Sequence, residues 1–182
     1  MDPDPGREAI GQVTNSEIKT AEYSIDGVPV SQVRHSISVR NGKPRAFYKS
    51  KTFRRGKINA LNNITVQHYK KGFRFIPAKV PVKVKLTYVF PRPQRLKTKK
   101  SEPGFIPHTV KPDIDNLDKL YLDCLSGIAF NDDNQICRIE STKVFAAYNF
   151  STKTEGWTGV FIQVFSLNKS ELRDAVDKYL PF

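Results

Sequence analysis

The chain has 182 residues, 38% of them hydrophobic and 11% aromatic, and its 30 Lys and Arg against 18 Asp and Glu give a formal net charge of +12. That length and apolar content suit one domain with a real core and exclude a wholly disordered chain. No apolar run approaches the roughly 20 residues of a membrane-spanning helix, so no membrane partner is expected. Two cysteines, Cys124 and Cys137, are too few for a disulfide framework. Their apolar surroundings predict buried free thiols in a reduced intracellular compartment, cytoplasmic for a bacterial or phage protein.

Residues 1–19 read as a disordered leader and residues 20–182 as the folded domain. The leader's first stretch, MDPDPGREAIGQ, lacks the basic and apolar regions of a secretory signal. AEYSIDGVPVSQ predicts a short strand, a turn at Asp26-Gly27 and a continuation. RHSISVRNGKPRAFYKS alternates and turns at Asn41-Gly42, a strong hairpin signal. Between Arg55 and Lys71, Ile58, Leu61, Ile64 or Val66, and Tyr69 recur near helical spacing, and Lys-Lys-Gly closes the helix. VPVKVKLTYVF alternates strictly, with Val80, Val82, Val84, Leu86 and Tyr88 on one face and Lys83 and Lys85 on the other, a half-buried strand. PRPQRLKTKKSEPGFIPHTVKP, residues 91–112, has five prolines and six basic residues and no periodicity, as a long functional or mobile loop would.

DIDNLDKLYLDCLSG predicts an amphipathic helix with Ile114, Leu117, Leu120, Tyr121, Cys124, Leu125 and Ile128 on its apolar stripe. Asp113 or Asp115 can cap its start and Gly127 can close its end. QICRIESTKVFAAYNF alternates as a strand, WTGVFIQVFSL is another, and NKSELRDAVDKYL predicts a closing helix with Leu172, Ala175, Val176 and Tyr179 inward. Strands and helices mix without βαβ regularity, which predicts an α+β class with a mixed β-sheet packed with helices.

Charge is distributed unevenly. From Arg40 to Lys111 there are 20 Lys and Arg against the single acid Glu102, while the rest of the chain has 10 basic and 17 acidic residues. The basic block is interleaved with Phe47, Tyr48, Phe53, Tyr69, Phe73 and Phe75, which points to a polyanion and first to nucleic acid. A solvated basic face is the plainer alternative. Arg54, Arg55, Lys97, Lys99, Lys100 and Lys111 are the candidate phosphate contacts.

Against that background, six aspartates gather between Lys111 and Gln135. Asp113 and Asp115 stand at a helix start. Asp115, Lys119 and Asp123 follow at i, i+4 and i+8 along one stripe, and Asp132-Asp133 precede the next strand. Converging carboxylates repel unless a cation lies among them, and hard divalent ions such as Mg²⁺ or Mn²⁺ take oxygen ligands together with substrate phosphates. A phosphodiester-cleaving centre would use them in that way, with Lys119 near the transition-state charge. In the alternative reading, Asp113 only caps, Asp118 and Asp123 are solvated, and Asp132-Asp133 are turn residues. An EF-hand fails because Leu117 and Asp118 occupy its fifth and sixth positions. His35, His68 and His108 are too far apart for zinc spacing, and no Gly-rich phosphate loop or G-x-S-x-G elbow appears.

KPDIDNLDK followed by LDCLSGIAFNDDNQI, within Lys111 to Lys143, resembles the RusA family of Holliday junction resolvases (crossover junction endodeoxyribonucleases). Those proteins pair a D-x-D-N-x-x-K helix start with a downstream DD-x-Q turn. The resemblance implies a RusA-like domain over 20–182. It also implies Asp113, Asp115 and Asp133 as metal ligands, Lys119 as the catalytic lysine, and Asp123 and Asp132 as supporting residues. It further implies a homodimer that uses Mg²⁺ or Mn²⁺ to nick two strands of a four-way DNA junction. Glu140 and Lys143, on the next strand, face either this site or solvent. The leader and the 91–112 loop exceed the compact family pattern, and they bear on junction selectivity or cut-site preference. A non-catalytic nucleic-acid-binding module, and a nuclease acting on flaps or RNA, are the competing readings.

Overall fold

The computed structural model describes residues 17–32, 37–40, 43–46, 51–98, 101–168 and 173. In chain order the elements are β1 (Glu17–Asp26), β2 (Ile37–Arg40), β3 (Lys43–Ala46), α1 (Lys51–Lys70), β4 (Val82–Phe90), β5 (Ile106–Pro107), α2 (Ile114–Leu125), β6 (Ile136–Phe145), β7 (Tyr148–Asn149), β8 (Thr154–Glu155) and β9 (Gly159–Leu167). Five strands form one sheet in the order β1-β9-β4-β6-β5. β4 and β6 pair in parallel and the other neighbours pair antiparallel. The result is the expected α+β fold with a mixed sheet. A parallel pair needs a long crossover, and the segment between β4 and β6 supplies it, carrying the basic loop, α2 and the aspartates.

β2 and β3 pair antiparallel with Arg40 opposite Lys43. Their register brackets Asn41-Gly42, which lies outside the described residues. The same holds for residues 1–16, Phe47, Tyr48, Lys99, Lys100 and the predicted closing helix with Leu172, Ala175, Val176 and Tyr179. β1 begins inside the segment read as a leader, because Glu17 already pairs with Leu167 of β9.

β4 is the central strand and is buried on both faces. Val82, Val84, Leu86 and Tyr88 lie in the core. Lys83 departs from the expected solvent-facing pattern and is only 3% exposed. Its ammonium is held by Glu17 at 2.7 Å and Glu140 at 3.0 Å, the pairing that a buried charge requires.

α1 buries a different stripe from the one its apolar letters predict. Phe53, Ala60, Ile64 and His68 are buried, whereas Ile58, Leu61, Val66 and Tyr69 face outward. His68 displaces Tyr69 from the core because its Nδ1 meets the hydroxyl of Tyr23 at 2.8 Å. A Cβ on Gly56 of α1 would come within 2.6 Å of Val30, so the chain after β1 crosses the helix closely there. Val30 N–H then donates to the Tyr121 hydroxyl (3.2 Å) and Gln32 N–H to the Asn116 carbonyl (2.8 Å), which ties this crossing to α2.

The described residues of the 91–112 segment are anchored. A 3-10 turn spans Gln94–Leu96 and β5 pairs with β6. Arg92, 2% exposed, donates from Nε to the Ala146 carbonyl at 3.0 Å and from its terminal nitrogens to the carbonyls of Glu102 and Gly104. Proline-rich letters have no periodicity to announce such anchoring. Cys124 is buried as expected, and burial pushes its thiol up to about 11. Cys137 is exposed, because the first half of β6 lies in the outer part of the sheet.

Candidate active site

Asp113 precedes α2 in an extended conformation, and its carboxylate makes no capping hydrogen bond. Asp115 lies in the first turn. Both are exposed, as is Lys119 one turn further on. Carboxylates at a helix N-terminus sit at the positive end of its dipole, which favours their charged form. Ile114, placed on the apolar stripe from sequence, is 37% exposed; burial begins only at Leu117, where the helix meets the sheet.

Asp118 departs from the alternative reading, which left it solvated. It is not a solvated bystander. Its carboxylate accepts from the Tyr88 hydroxyl at 2.7 Å and from the Ser141 hydroxyl at 2.8 and 2.9 Å. Burial raises its pKa, the hydrogen bonds from Tyr88 and Ser141 oppose the rise, and the charge of Asp115 adds to it. Burial also pushes the Tyr88 hydroxyl far up, which keeps it a proton donor. One helical turn past Asp115, α2 is therefore fastened to both parallel strands.

Lys143 provides a second fastening. Its ammonium donates to the carbonyls of Val110 (2.7 Å) and Pro112 (2.6 Å), just ahead of Asp113. Ser141 and Lys143 share one face of β6, as alternation requires. Glu140 points to the other face, where it pairs with Lys83, Lys85 and Arg138. Of the two residues left open on this strand, Lys143 reaches the site and Glu140 does not. His108 packs between the rings of Phe90 and Phe145 at 4.3 and 4.4 Å. Burial, and then the charge of Lys143, lowers its pKa.

The remaining aspartates lie elsewhere. Asp123 pairs with Lys57 of α1 at 3.7 Å. Asp132 caps the 3-10 turn Asp133–Gln135: its carboxylate accepts from Asn134 N–H at 3.0 Å, and the Gln135 side chain accepts from Asp132 N–H at 3.0 Å. Gln135 also donates to the carbonyls of Pro77 (2.7 Å) and Val80 (3.0 Å), which fixes the turn against the chain entering β4. Asp133 is exposed at the head of this turn.

The turn sits where β6 begins, and Asp118 contacts β6 five residues later, at Ser141. At about 3.3 Å per residue, about 17 Å separate Ile136 from Ser141. Asp133 therefore lies toward one end of α2, and Asp113 with Asp115 lies at the other. Among the described residues, no three His, Cys, Asp or Glu side chains come together closely enough to hold a metal.

Of the candidate phosphate contacts, Lys111 is exposed two residues before Asp113, and Arg54 and Arg55 are exposed near the start of α1. Lys97 is tied to Glu155 at 3.1 Å. Among the interleaved aromatics, Phe53 is in the core and Phe73 packs on Tyr23 and His68, while Tyr69 and Phe75 are exposed. Among the described residues no helix is long and apolar enough to cross a membrane.

Residues 26–155 match the family described as endodeoxyribonuclease RusA. That span contains α1, α2, both aspartate pairs and the whole of β6. The chain is also similar to the uncharacterized protein YqaN of Bacillus subtilis (strain 168), at 32% identity over 132 residues, covering 69% of this chain and 87% of that protein.

Proposed function

The chain belongs to the RusA endodeoxyribonuclease family, and from that membership we propose a homodimer that binds four-way DNA junctions and nicks two strands, with Mg²⁺ or Mn²⁺ as cofactor, in DNA recombination and repair. One observation carries the reading: Asp113 and Asp115 are exposed beside Lys119 on a helix start that Asp118 and Lys143 fasten in place. Exposed charge on a rigidly held backbone suits a site that must meet a phosphate without rearranging.

The donor set is all carboxylate oxygen, which fits a hard divalent cation. Asp113, Asp115 and Asp133 would hold it, and their separation within one chain supports a site shared between two chains. One chain offers the pair at one end of α2 and Asp133 toward the other. A two-fold partner whose α2 runs antiparallel to this one brings its own Asp133 to this chain's Asp113 and Asp115, and receives the reverse. An isologous contact makes two equivalent sites in this way, one for each strand of a two-fold junction. When bound, the cation neutralises charge on the scissile phosphate and makes a water nucleophilic near neutral pH.

The chain's own residues do the rest. Lys119 presents its ammonium to the developing charge on phosphate oxygens. Arg54, Arg55, Lys97, Lys99, Lys100 and Lys111 grip the sugar-phosphate backbone, so junction affinity falls steeply with salt.

The test is a labelled four-way junction, a flap, a duplex and an RNA hairpin, each incubated with protein in Mg²⁺, Mn²⁺ or EDTA. Paired nicks confined to the junction, lost in EDTA and in Asp115→Asn while junction binding persists, are the expected result. Binding with no cleavage of any substrate would instead favour a non-catalytic module. Preferential cutting of flaps or RNA would move the substrate class.

A further inference from the structure

The cleft between the β7–β8 hairpin and Pro103 is not used by the chemistry above. It is an open depression of about 520 Å³ lined by Tyr148, Phe150 and Glu155 among others. Small-ligand sites fall in this size range and combine apolar walls with a few placed polar groups. The Tyr148 and Phe150 rings lie 5.1 Å apart at 67°, so they offer a ring face and a ring edge to one opening. Lys97 Nζ sits 5.5 Å from the Tyr148 centroid and 3.1 Å from one oxygen of Glu155. The other Glu155 oxygen accepts from Arg92 N–H. Each carboxylate oxygen has two lone pairs, so Glu155 keeps acceptor capacity for a ligand N–H.

We propose that this cleft takes an unpaired nucleobase of the bound DNA, stacked on the face of one of the Tyr148 and Phe150 rings and packed against the edge of the other, with its hydrogen-bonding edge toward Glu155. The proposal rests on the DNA-binding reading above and adds a subsite to it. Three features select that ligand. Its flat face matches the aromatic wall, and stacking on aromatic side chains is how single strands are commonly held. Its ring and exocyclic N–H groups match the carboxylate. Its phosphates match the ammonium of Lys97 beside the cleft. Paired bases hide their faces within the stack, so the occupant is an unpaired one.

The location is apt. Lys143, which holds the Pro112 carbonyl beside Asp113, is five residues before Tyr148. That is at most about 17 Å of extended chain, a span of a few nucleotides. A base lifted from the junction near the cut strand would reach the cleft.

The experiment is a titration of the full-length protein, in EDTA, into a single-stranded oligonucleotide carrying one 2-aminopurine, with the same base in a fully paired duplex as control. Wild-type protein quenches the fluorescence of the single strand and leaves the duplex signal unchanged. Tyr148→Ala and Phe150→Ala weaken single-strand binding by about 5- to 150-fold, the range expected for one stacked base, and abolish the quench. Tyr148→Phe preserves both. Phe150→Leu, which keeps an apolar side chain of similar size, shows the same loss if an alanine disturbs the fold. Wild-type affinity and quench in folded Tyr148→Ala and Phe150→Leu would overturn the proposal. Junction cleavage in Mg²⁺ is scored separately. Cleavage without a stacking signal sinks the cleft and leaves the nuclease, whereas stacking without cleavage sinks the nuclease and leaves the cleft.

Discussion

The two ends of α2 hold carboxylates in opposite physical settings. At the start of the helix, Asp118 is drawn out of water and held by Tyr88 and Ser141, while Asp113 and Asp115 stay exposed. Toward the other end, Asp132 caps its own short turn and Asp133 stays exposed. Each end thus pairs an aspartate that builds structure with one or two that are exposed. The ends differ in what anchors them: the first is fastened to the centre of the sheet, and the second mainly through Gln135 to the chain entering β4.

Removing the structural aspartate at each end measures that difference. Asp118→Ala leaves two hydroxyls inside the helix–sheet contact without their acceptor, a loss of about 3 kcal/mol in urea denaturation. It also slows junction cleavage while the DNA affinity set by the basic residues is retained. Asp132→Ala removes a cap from a surface turn and costs about 1 kcal/mol. Equal losses at the two ends would mean that Asp118 anchors nothing beyond its own helix turn.

A smaller effect comes from pH. Burial holds His68 and His108 below the ordinary histidine value of 6.5, so as pH falls the unfolded chain takes up protons before the folded one. Their contribution is therefore complete above about pH 6.5 and is lost as pH falls below it. Urea midpoints at pH 7.5 and pH 5 should show lower stability in acid. His68→Gln should reduce that difference, since glutamine can still pair with the Tyr23 hydroxyl and does not titrate. An unchanged slope would show that His68 takes up its proton equally in the folded and unfolded chains.

Much of this contrast was legible in the letters. The helix over DIDNLDKLYLDCL, its exposed first aspartates and the strand after the second pair all follow from periodicity, because α2 has one unambiguous apolar face. α1 was harder. Its apolar residues lie on two faces, and a histidine rather than a tyrosine occupies the core position beside Tyr23. Asp118 was misjudged for a related reason: an acid among apolar residues reads as solvated until its donors are found, and Tyr88 and Ser141 are distant in sequence. The faint signal was polar Ser141 in line with the apolar letters Cys137, Ile139 and Phe145 along β6. Arg92 was hidden similarly, since nothing local marks a side chain whose acceptors are carbonyls of a loop still to come. The separation of Asp133 from Asp113 is a matter of topology: β6 starts where α2 ends, and spacing alone does not reveal it.

The claim that two chains share each site is tested most directly by mixing. Asp115→Asn and Asp133→Asn, each inactive alone, are co-refolded or co-expressed so that mixed dimers form, and nicking of a labelled four-way junction is measured in Mg²⁺. If Asp133 acts on the partner's Asp113 and Asp115, each mixed dimer has one site with both defects and one with none, and nicking of a single strand returns. If each chain builds its own site, every site in the mixed dimer carries one defect, and a mixture as inactive as its components, with dimers verified, would contradict the account.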